Sequence, residues 1–192
     1  DTDLSKNQTT TVTLVFSEAV SQFSSDDDIT VQNGSLSTMT SSDNITWTGT
    51  FTPTDDIRDT TNILTLANTW RDASGNAGVS STTANYGVDT QLPSVSSFTL
   101  ADTDLSKNQT TTVTLVFSEA VTQFSSDDDI TVQNGSLSTM TSSDNITWTG
   151  TFTPSDNLRD TTNILTLANT WKDASGNAGV SSTTANYGID TV

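Results

Sequence analysis

The chain has 192 residues, 23 acidic and 6 basic, with no His and no Cys, for a formal net charge of −17. That balance excludes nucleic acid and anionic membranes as natural partners, because the basic patches that bind phosphate are missing. The absence of Cys and His removes disulfides, thiolate and imidazole catalysis, and metal sites built on sulfur or ring nitrogen.

The residues are one unit written twice. Residues 1–91 return at 102–192, an offset of 101, and the two copies differ only at 21, 54, 56, 57, 71, 88 and 91. A period near 100 is too long for a solenoid, so each copy is expected to be a self-contained domain: 1–90, without its first strand, and 91–192. The start at Asp1, in phase with Asp102, reads as a cut from a longer tandem array. The hydrophobic fraction is only 31%, but the apolar residues fall in alternating runs, which disordered chains lack. No run approaches the roughly 18 apolar residues of a membrane span, and no signal peptide is visible.

Copy 2 is complete and gives the elements in order. Val95–Leu100 predicts strand A. In 111–117, Val113, Leu115 and Phe117 share one face of strand B while Thr112 and Thr114 share the other. Ile130–Gln133 predicts strand C, running into Asn134-Gly135, a two-residue hairpin signal, with Leu137–Thr141 returning as strand D. Strand E is Ile146–Phe152, with Ile146, Trp148 and Phe152 inward. Strand F is the apolar run Ile164–Leu167, with Ile164 or Leu165 in the core, and strand G is Thr183–Ile189. Ile130 and Val132 complete the predicted core. Seven short strands without helical periodicity predict an all-β chain: two tandem immunoglobulin-like antiparallel β-sandwich domains.

In such a sandwich successive loops alternate between poles. The B–C (118–129), D–E (142–145) and F–G (171–179) loops belong at the N-terminal pole, where the chain comes in. The A–B (102–110) and E–F (154–163) loops belong at the C-terminal pole. Around the junction of the copies this gathers Asp1, Asp3, Asp55, Asp56, Asp59 and Asp89 from copy 1. Copy 2 adds Glu119, Asp127, Asp128, Asp129, Asp144 and Asp173. So many carboxylates repel unless neutralised, and with oxygen donors alone the choice falls on Ca²⁺ before Mg²⁺. The competing reading is plain turn chemistry on a solvated surface, and the run Asp127–Asp129 is expected to be merely solubilising. Asp102-Thr-Asp104-Leu-Ser-Lys-Asn108 echoes the first half of a calcium loop without its Gly or distant Glu, and as a plain polar turn it needs no metal.

Phe117-Ser-Glu-Ala-Val121, Asp129–Leu137, Trp148–Pro154, Asp160–Ile164, Asp173-Ala-Ser-Gly-Asn-Ala-Gly179 and Asn186–Thr191 resemble, in order, the bacterial immunoglobulin-like repeats of very large biofilm and surface adhesins. The linker Asp89-Thr-Gln-Leu-Pro93 is similar to the joint between such repeats. The resemblance implies a Gram-negative, type I secreted, extracellular cell-surface protein whose repeats form a stalk, with neighbouring repeats of the same chain as partners. It also implies calcium at the joints, held by Asp89, Glu119, Asp173 and Asn177. Glu18, Asp72 and Asn76 are the counterparts in copy 1, and Asp190 serves the exit of copy 2. The family carries a single Asp in the A–B loop, so Asp102 and Asp104 are a departure from it.

Other chemistries fit less well. Paired acids on pole loops build no glycosidase cleft, so no enzyme is expected. Trp148 alternates with core residues, and Trp171 is expected to cap the core end rather than stack on sugar. The Thr runs form no regular ice-binding ladder, and the Asn-X-Ser/Thr triplets reflect composition. The first reading is a structural extender from an adhesin stalk, expected as a monomeric fragment. The alternative is a module that itself binds a glycan or host surface, to be recognised by an exposed aromatic cluster or a half-open metal site.

Overall fold

The computed structural model describes residues 2–192; Asp1, counted above among the pole carboxylates, lies outside them. The chain divides into two units, Asp1–Gln91 and Leu92–Val192. Unit 1 contains β1 (Asp3–Ser5), β2 (Thr10–Val15), the single turn α1 (Ser25–Asp28), β3 (Ile29–Val31), β4 (Gly34–Leu36), β5 (Thr46–Pro53), β6 (Arg58–Asn62), β7 (Leu64–Leu66), β8 (Ser81–Thr82) and β9 (Tyr86–Asp89). Its sheets run β2-β5-β4, β3-β7-β8 and β1-β9-β6.

Unit 2 contains β10 (Val95–Leu100), β11 (Asp104–Ser106), β12 (Thr111–Phe117), β13 (Val121–Thr122), α2 (Ser126–Asp129), β14 (Ile130–Val132), β15 (Gly135–Leu137), β16 (Thr147–Pro154), β17 (Arg159–Asn163), β18 (Leu165–Leu167), β19 (Lys172–Asp173), β20 (Ser182–Thr183) and β21 (Tyr187–Asp190). One layer is β10-β12-β16-β15. The facing layer combines β14-β18-β20 with β11-β21-β17, while β13-β19 is a small ribbon between loops. Each unit is thus a β-sandwich of immunoglobulin-like type, as the alternation predicted, antiparallel except where β1 and β11 lie parallel to β9 and β21.

The core of unit 2 is what the period-2 pattern dictates. Val113, Leu115, Phe152, Leu165 and Leu167 are completely buried, and Phe117 nearly so. At about 1.5–3 kcal/mol for each fully buried side chain, this interior, not the Thr-rich exterior, supplies the driving force. Leu165, not Ile164, points inward. Ile130 is buried, whereas Val132 and Trp148 are half-buried and pack against the cluster from its margin.

Asn134-Gly135 is not a hairpin. β14 pairs with β18 and β15 pairs with β16, so the dipeptide carries the chain from one layer to the other. Asn134 takes a left-handed φ of 55°, and its amide donates to Asn163 Oδ1 (2.7 Å) and Asp160 Oδ2 (3.0 Å). Fully buried Asn163 donates in turn to the carbonyls of Asp160 and Tyr187. The Tyr187 hydroxyl closes the corner on Gln133 O at 3.0 Å, and burial pushes its pKa up to about 12. Gly135 is needed for close approach rather than for a turn. A Cβ there would lie 2.4 Å from Cζ of Phe152 and 2.5 Å from the Thr153 carbonyl.

Strand D accordingly begins earlier than predicted and ends at Leu137. Strand G divides into β20 and β21, which join different sheets. The expected E–F loop contains β17, and the expected A–B loop contains β11, which lies parallel to β21. These strands are short and polar, and they owe their conformation to β21 rather than to their own pattern.

Two substitutions separate these constraints. Phe117→Ala should lower the unfolding free energy of unit 2 by about 3–5 kcal/mol. Gly135→Ala should lower it by about 1–3 kcal/mol through overpacking against Phe152. Denaturant titration followed by tryptophan fluorescence measures both, and an unchanged midpoint for either would contradict the inward face assigned here.

Candidate metal centre

The N-terminal pole of unit 2 is built on the end of β12. Past Phe117, Ser118 is clamped to the incoming chain: its N–H donates to Ser94 O (2.8 Å), and its hydroxyl accepts from Ser94 N–H (2.9 Å). Glu119, half-buried, follows directly. The Phe117 ring lies 4.4 Å from the ring of Trp171, tilted by 48°. Trp171 is fully buried and donates its indole N–H to Ala168 O at 3.0 Å. Gly179 lets the F–G loop fold beneath that ring, since a Cβ there would come within 2.2 Å of it. The Gly179 N–H reaches Trp171 O at 2.9 Å.

The ring contact therefore fixes what comes next in the chain, Lys172 and Asp173. Strand β19 pairs with β13, setting Asp173 opposite Val121. The N–H of Val121 donates to Asn145 O (2.9 Å), which brings the D–E loop to the same pole. Asp173 is 1% exposed. Its Oδ1 accepts from Asn177 N–H and its Oδ2 from the Asn177 side-chain amide, both at 2.8 Å. Its own N–H donates to Asn177 O (3.1 Å), so the loop is closed on itself.

Glu119 and Asp173 each offer a carboxylate oxygen, and these lie within 4.8 Å of each other. Oxygens bound to one Ca²⁺ at 2.3–2.6 Å stand at most about 5 Å apart, so the pair fits a shared ion. Two buried or half-buried like charges at this separation are costly in isolation, and a divalent cation reverses the sign of their interaction. The donor set is oxygen only, as a hard cation requires.

Unit 1 repeats the arrangement with a more open pole. Asp72, bridged to Val20, accepts from Ser74 N–H and Asn76 N–H at 2.8 Å and from the Asn76 amide at 2.6 Å. The Asn76 side chain first, then its N–H, holds the Asp72 pKa below the usual carboxylate range. Glu18, Asp72 and Asn76 line one hollow of about 480 Å³ with Phe16 and Trp70.

Asp89 ends β9 and pairs with Arg58 Nε at 3.4 Å; Asp190 ends β21 and pairs with Arg159 Nε at 3.4 Å. Asp102 Oδ1 accepts from Asp104 N–H at 3.0 Å, and Asp102 N–H donates to Thr111 Oγ1 at 2.8 Å. From Asp104 the chain runs as β11, with Leu105 buried and its neighbours exposed, rather than wrapping as a loop. The acidic run is not merely solubilising. Asp129 is buried, accepts from Ser125 N–H at 2.9 Å and from the Thr170 hydroxyl, and so anchors α2 to the loop after β18. The Ser94–Ser118 clamp was not anticipated, because nothing in two isolated serines marks it.

A family model described as "Bacterial Ig-like domain" matches residues 1–88 and again 89–189. No curated protein matches. Among solved structures, the chain is similar to the Escherichia coli adhesin FdeC, with 14% identity, TM-score 0.40, and coverage of 92% of this chain and 72% of that one. It is similar to the Bacteroides ovatus mixed-linkage glucan utilization locus protein SGBP-B, solved with a heptasaccharide, with 15% identity, TM-score 0.25, and coverage of 100% and 44%. A third is the Dpr2 Ig1-Ig2 complex with DIP-Theta, with 10% identity, TM-score 0.26, and coverage of 98% and 92%.

Hydrogen-bonded turn carboxylates give the fold an acid limit. The N–H groups of Thr147 and Ile146, with the Ser142 hydroxyl, hold the Asp144 pKa low. The Thr162 N–H and hydroxyl, with Asn134, do the same for Asp160. Folded values below the unfolded ~3.9 contribute stability that is present above that pH and lost as pH falls through the folded values. The melting midpoint should therefore fall below about pH 4, and Asp160→Asn should make that fall shallower. An identical acid limb in the variant would contradict the assignment.

Proposed function

The chain belongs to the bacterial Ig-like domain family, and from that premise we propose that its repeats are structural spacers in the stalk of a bacterial surface adhesin, stiffened by calcium at the joint between repeats. The observation that carries this reading is the Glu119–Asp173 oxygen pair at the pole where the chain enters unit 2. Repetition supports it as well. Two copies that differ at seven aligned positions suit length or valency, whereas an enzyme rarely needs a second near-identical copy of itself on the same chain. In this account the chain is a secreted, extracellular, biofilm-type protein exported by a type I route, and its partners are neighbouring repeats.

Asp89 is the natural third ligand. Ser94 is pinned to Ser118, next to Glu119, and Asp89 lies five residues upstream, a tether of at most about 18 Å. Asn177, or a carbonyl of its loop, and water complete the 6–8 oxygens calcium takes. Glu18, Asp72 and Asn76 would serve the corresponding pole of unit 1, and Asp190 the exit of unit 2. The ion ties the last strand of one repeat to the loops of the next, across a linker already restricted at Pro93. The alternative, a glycan- or surface-binding module, calls for an exposed aromatic platform. Among the described residues no aromatic side chain is exposed.

Calorimetry with calcium and with chelator tests the reading. Calcium should bind with a dissociation constant on the order of 10⁻⁴–10⁻³ M and raise stability by about 2.7 kcal/mol at 100 times that concentration. Glu119→Gln and Asp89→Ala should each weaken binding while preserving the fold, since neither is part of the Asp173–Asn177 turn. Small-angle scattering should show greater flexibility on chelation. No calcium-dependent heat and identical melting and scattering in both conditions would overturn the proposal.

A further inference from the structure

Each copy carries one Asn-Gly dipeptide, Asn33-Gly34 and Asn134-Gly135, at the corner where the chain passes from one layer to the other. Separate constraints demand the two residues. Asn supplies the left-handed φ, 48° at Asn33 and 55° at Asn134. Its amide ties the corner to Asn62 Oδ1 (2.7 Å) and Asp59 Oδ2 (2.9 Å) in unit 1, as it does to Asn163 and Asp160 in unit 2. Gly is required for space, since a Cβ at Gly34 would stand 2.3 Å from Cζ of Phe51, much as at Gly135 against Phe152. The fold therefore imposes on each repeat the dipeptide in which an Asn amide is chemically least durable. The nitrogen that follows, with no side chain to shield it, can attack the Asn side-chain carbon.

The corner leaves the nucleophile available and immobilises its target. Gly135 lies opposite Pro154, and Asn134 O accepts from Ser155 N–H (2.9 Å). Neighbouring residues of an antiparallel strand direct their polar groups to opposite sides, so the Gly135 N–H points away from β16. Asn134 is itself exposed, and water reaches it. Its restraint is the pair of bonds, 2.7 and 3.0 Å, that hold the side-chain amide on Asn163 Oδ1 and Asp160 Oδ2. We propose that Asn134 and Asn33 are self-modification sites gated by this corner: opening frees the side chain for attack by the following nitrogen, and the product keeps the corner from closing again. In the first step the Gly135 nitrogen bonds to Asn134 Cγ and the Cγ–Nδ2 bond breaks. Nδ2 leaves as ammonia, carrying the proton that the Gly135 nitrogen gives up. In the second step water adds to either carbonyl of the cyclic imide, giving Asp or its β-linked isomer. Neither product suits the corner. An aspartate has no donor for Asn163 Oδ1 and sets a second carboxylate against Asp160. The β-linked isomer lengthens the backbone by one carbon and displaces Gly135 from its register with Pro154.

The test incubates the full chain at mildly alkaline pH, folded and in denaturant, and follows each Asn-Gly peptide by mass spectrometry. Conversion of Asn134 and Asn33 should be at least about tenfold slower in the folded chain, the factor that about 1.4 kcal/mol of corner opening supplies. Asp160→Ala removes one of the two acceptors and should raise conversion at Asn134 over that at Asn33 in the same molecules, with unit 1 as the internal reference. Asn134→Asp should lower the melting midpoint, and Asp160→Asn in that background should restore part of it, because a donor again faces the carboxylate. The comparison of folded and denatured wild type needs no variant, so it decides the matter even if a substitution unfolds unit 2. Equal rates in the two conditions, an unchanged Asn134-to-Asn33 ratio in Asp160→Ala, or an Asn134→Asp chain that melts like the wild type would overturn the proposal.

Discussion

The contact between Phe117 and Trp171 is the interaction on which both the core and the candidate metal centre rest. Phe117 is the last residue of β12, and Trp171 is the residue before β19. Their rings, 4.4 Å apart, fasten a strand of one layer to a loop that leaves the other. Two residues beyond each ring stand Glu119 and Asp173. The carboxylates are thus positioned by hydrophobic packing, and the polar bonds of the pole only refine where they point. Because the pair is set by buried rings, the proposed site would be held before any ion arrives. Such preorganisation reduces the ordering entropy that binding must overcome.

The electrostatic logic of the chain follows. A net charge of −17 is tolerated in the folded units because many carboxylates are absorbed locally. Asp144, Asp160 and Asp72 accept backbone and side-chain donors within their own turns, and Asp129 is buried as an anchor. Glu119 and Asp173 differ in that two carboxylates from separate loops converge. Turn chemistry explains a carboxylate that caps its own loop but gives no reason for convergence across loops, and a shared cation does. The near-identity of the copies fits the proposed spacer role, which requires them to fold and join rather than recognise.

Much of this was legible in the residues. The alternation of Val113, Leu115 and Phe117 placed β12 within the sandwich, and pole counting brought Glu119 and Asp173 to one end before any coordinates. The failures have physical causes. Asn134-Gly135 carries the local chemistry of a hairpin, but the same left-handed Asn serves a corner between sheets, and only the long-range bonds to Asp160 and Asn163 decide between them. β11 and β17 are polar segments made extended by β21, so their pattern carried no signal. Asp129 hid inside an acidic run, where like charges read as solvated surface.

The most direct measurement is a crystal structure of the chain grown in millimolar calcium, with anomalous differences recorded at long wavelength. The account predicts a calcium peak bound by carboxylate oxygens of Glu119 and Asp173 at about 2.3–2.6 Å, with Asp89 completing the carboxylate set. A map with no peak between Glu119 and Asp173 under those conditions would contradict it.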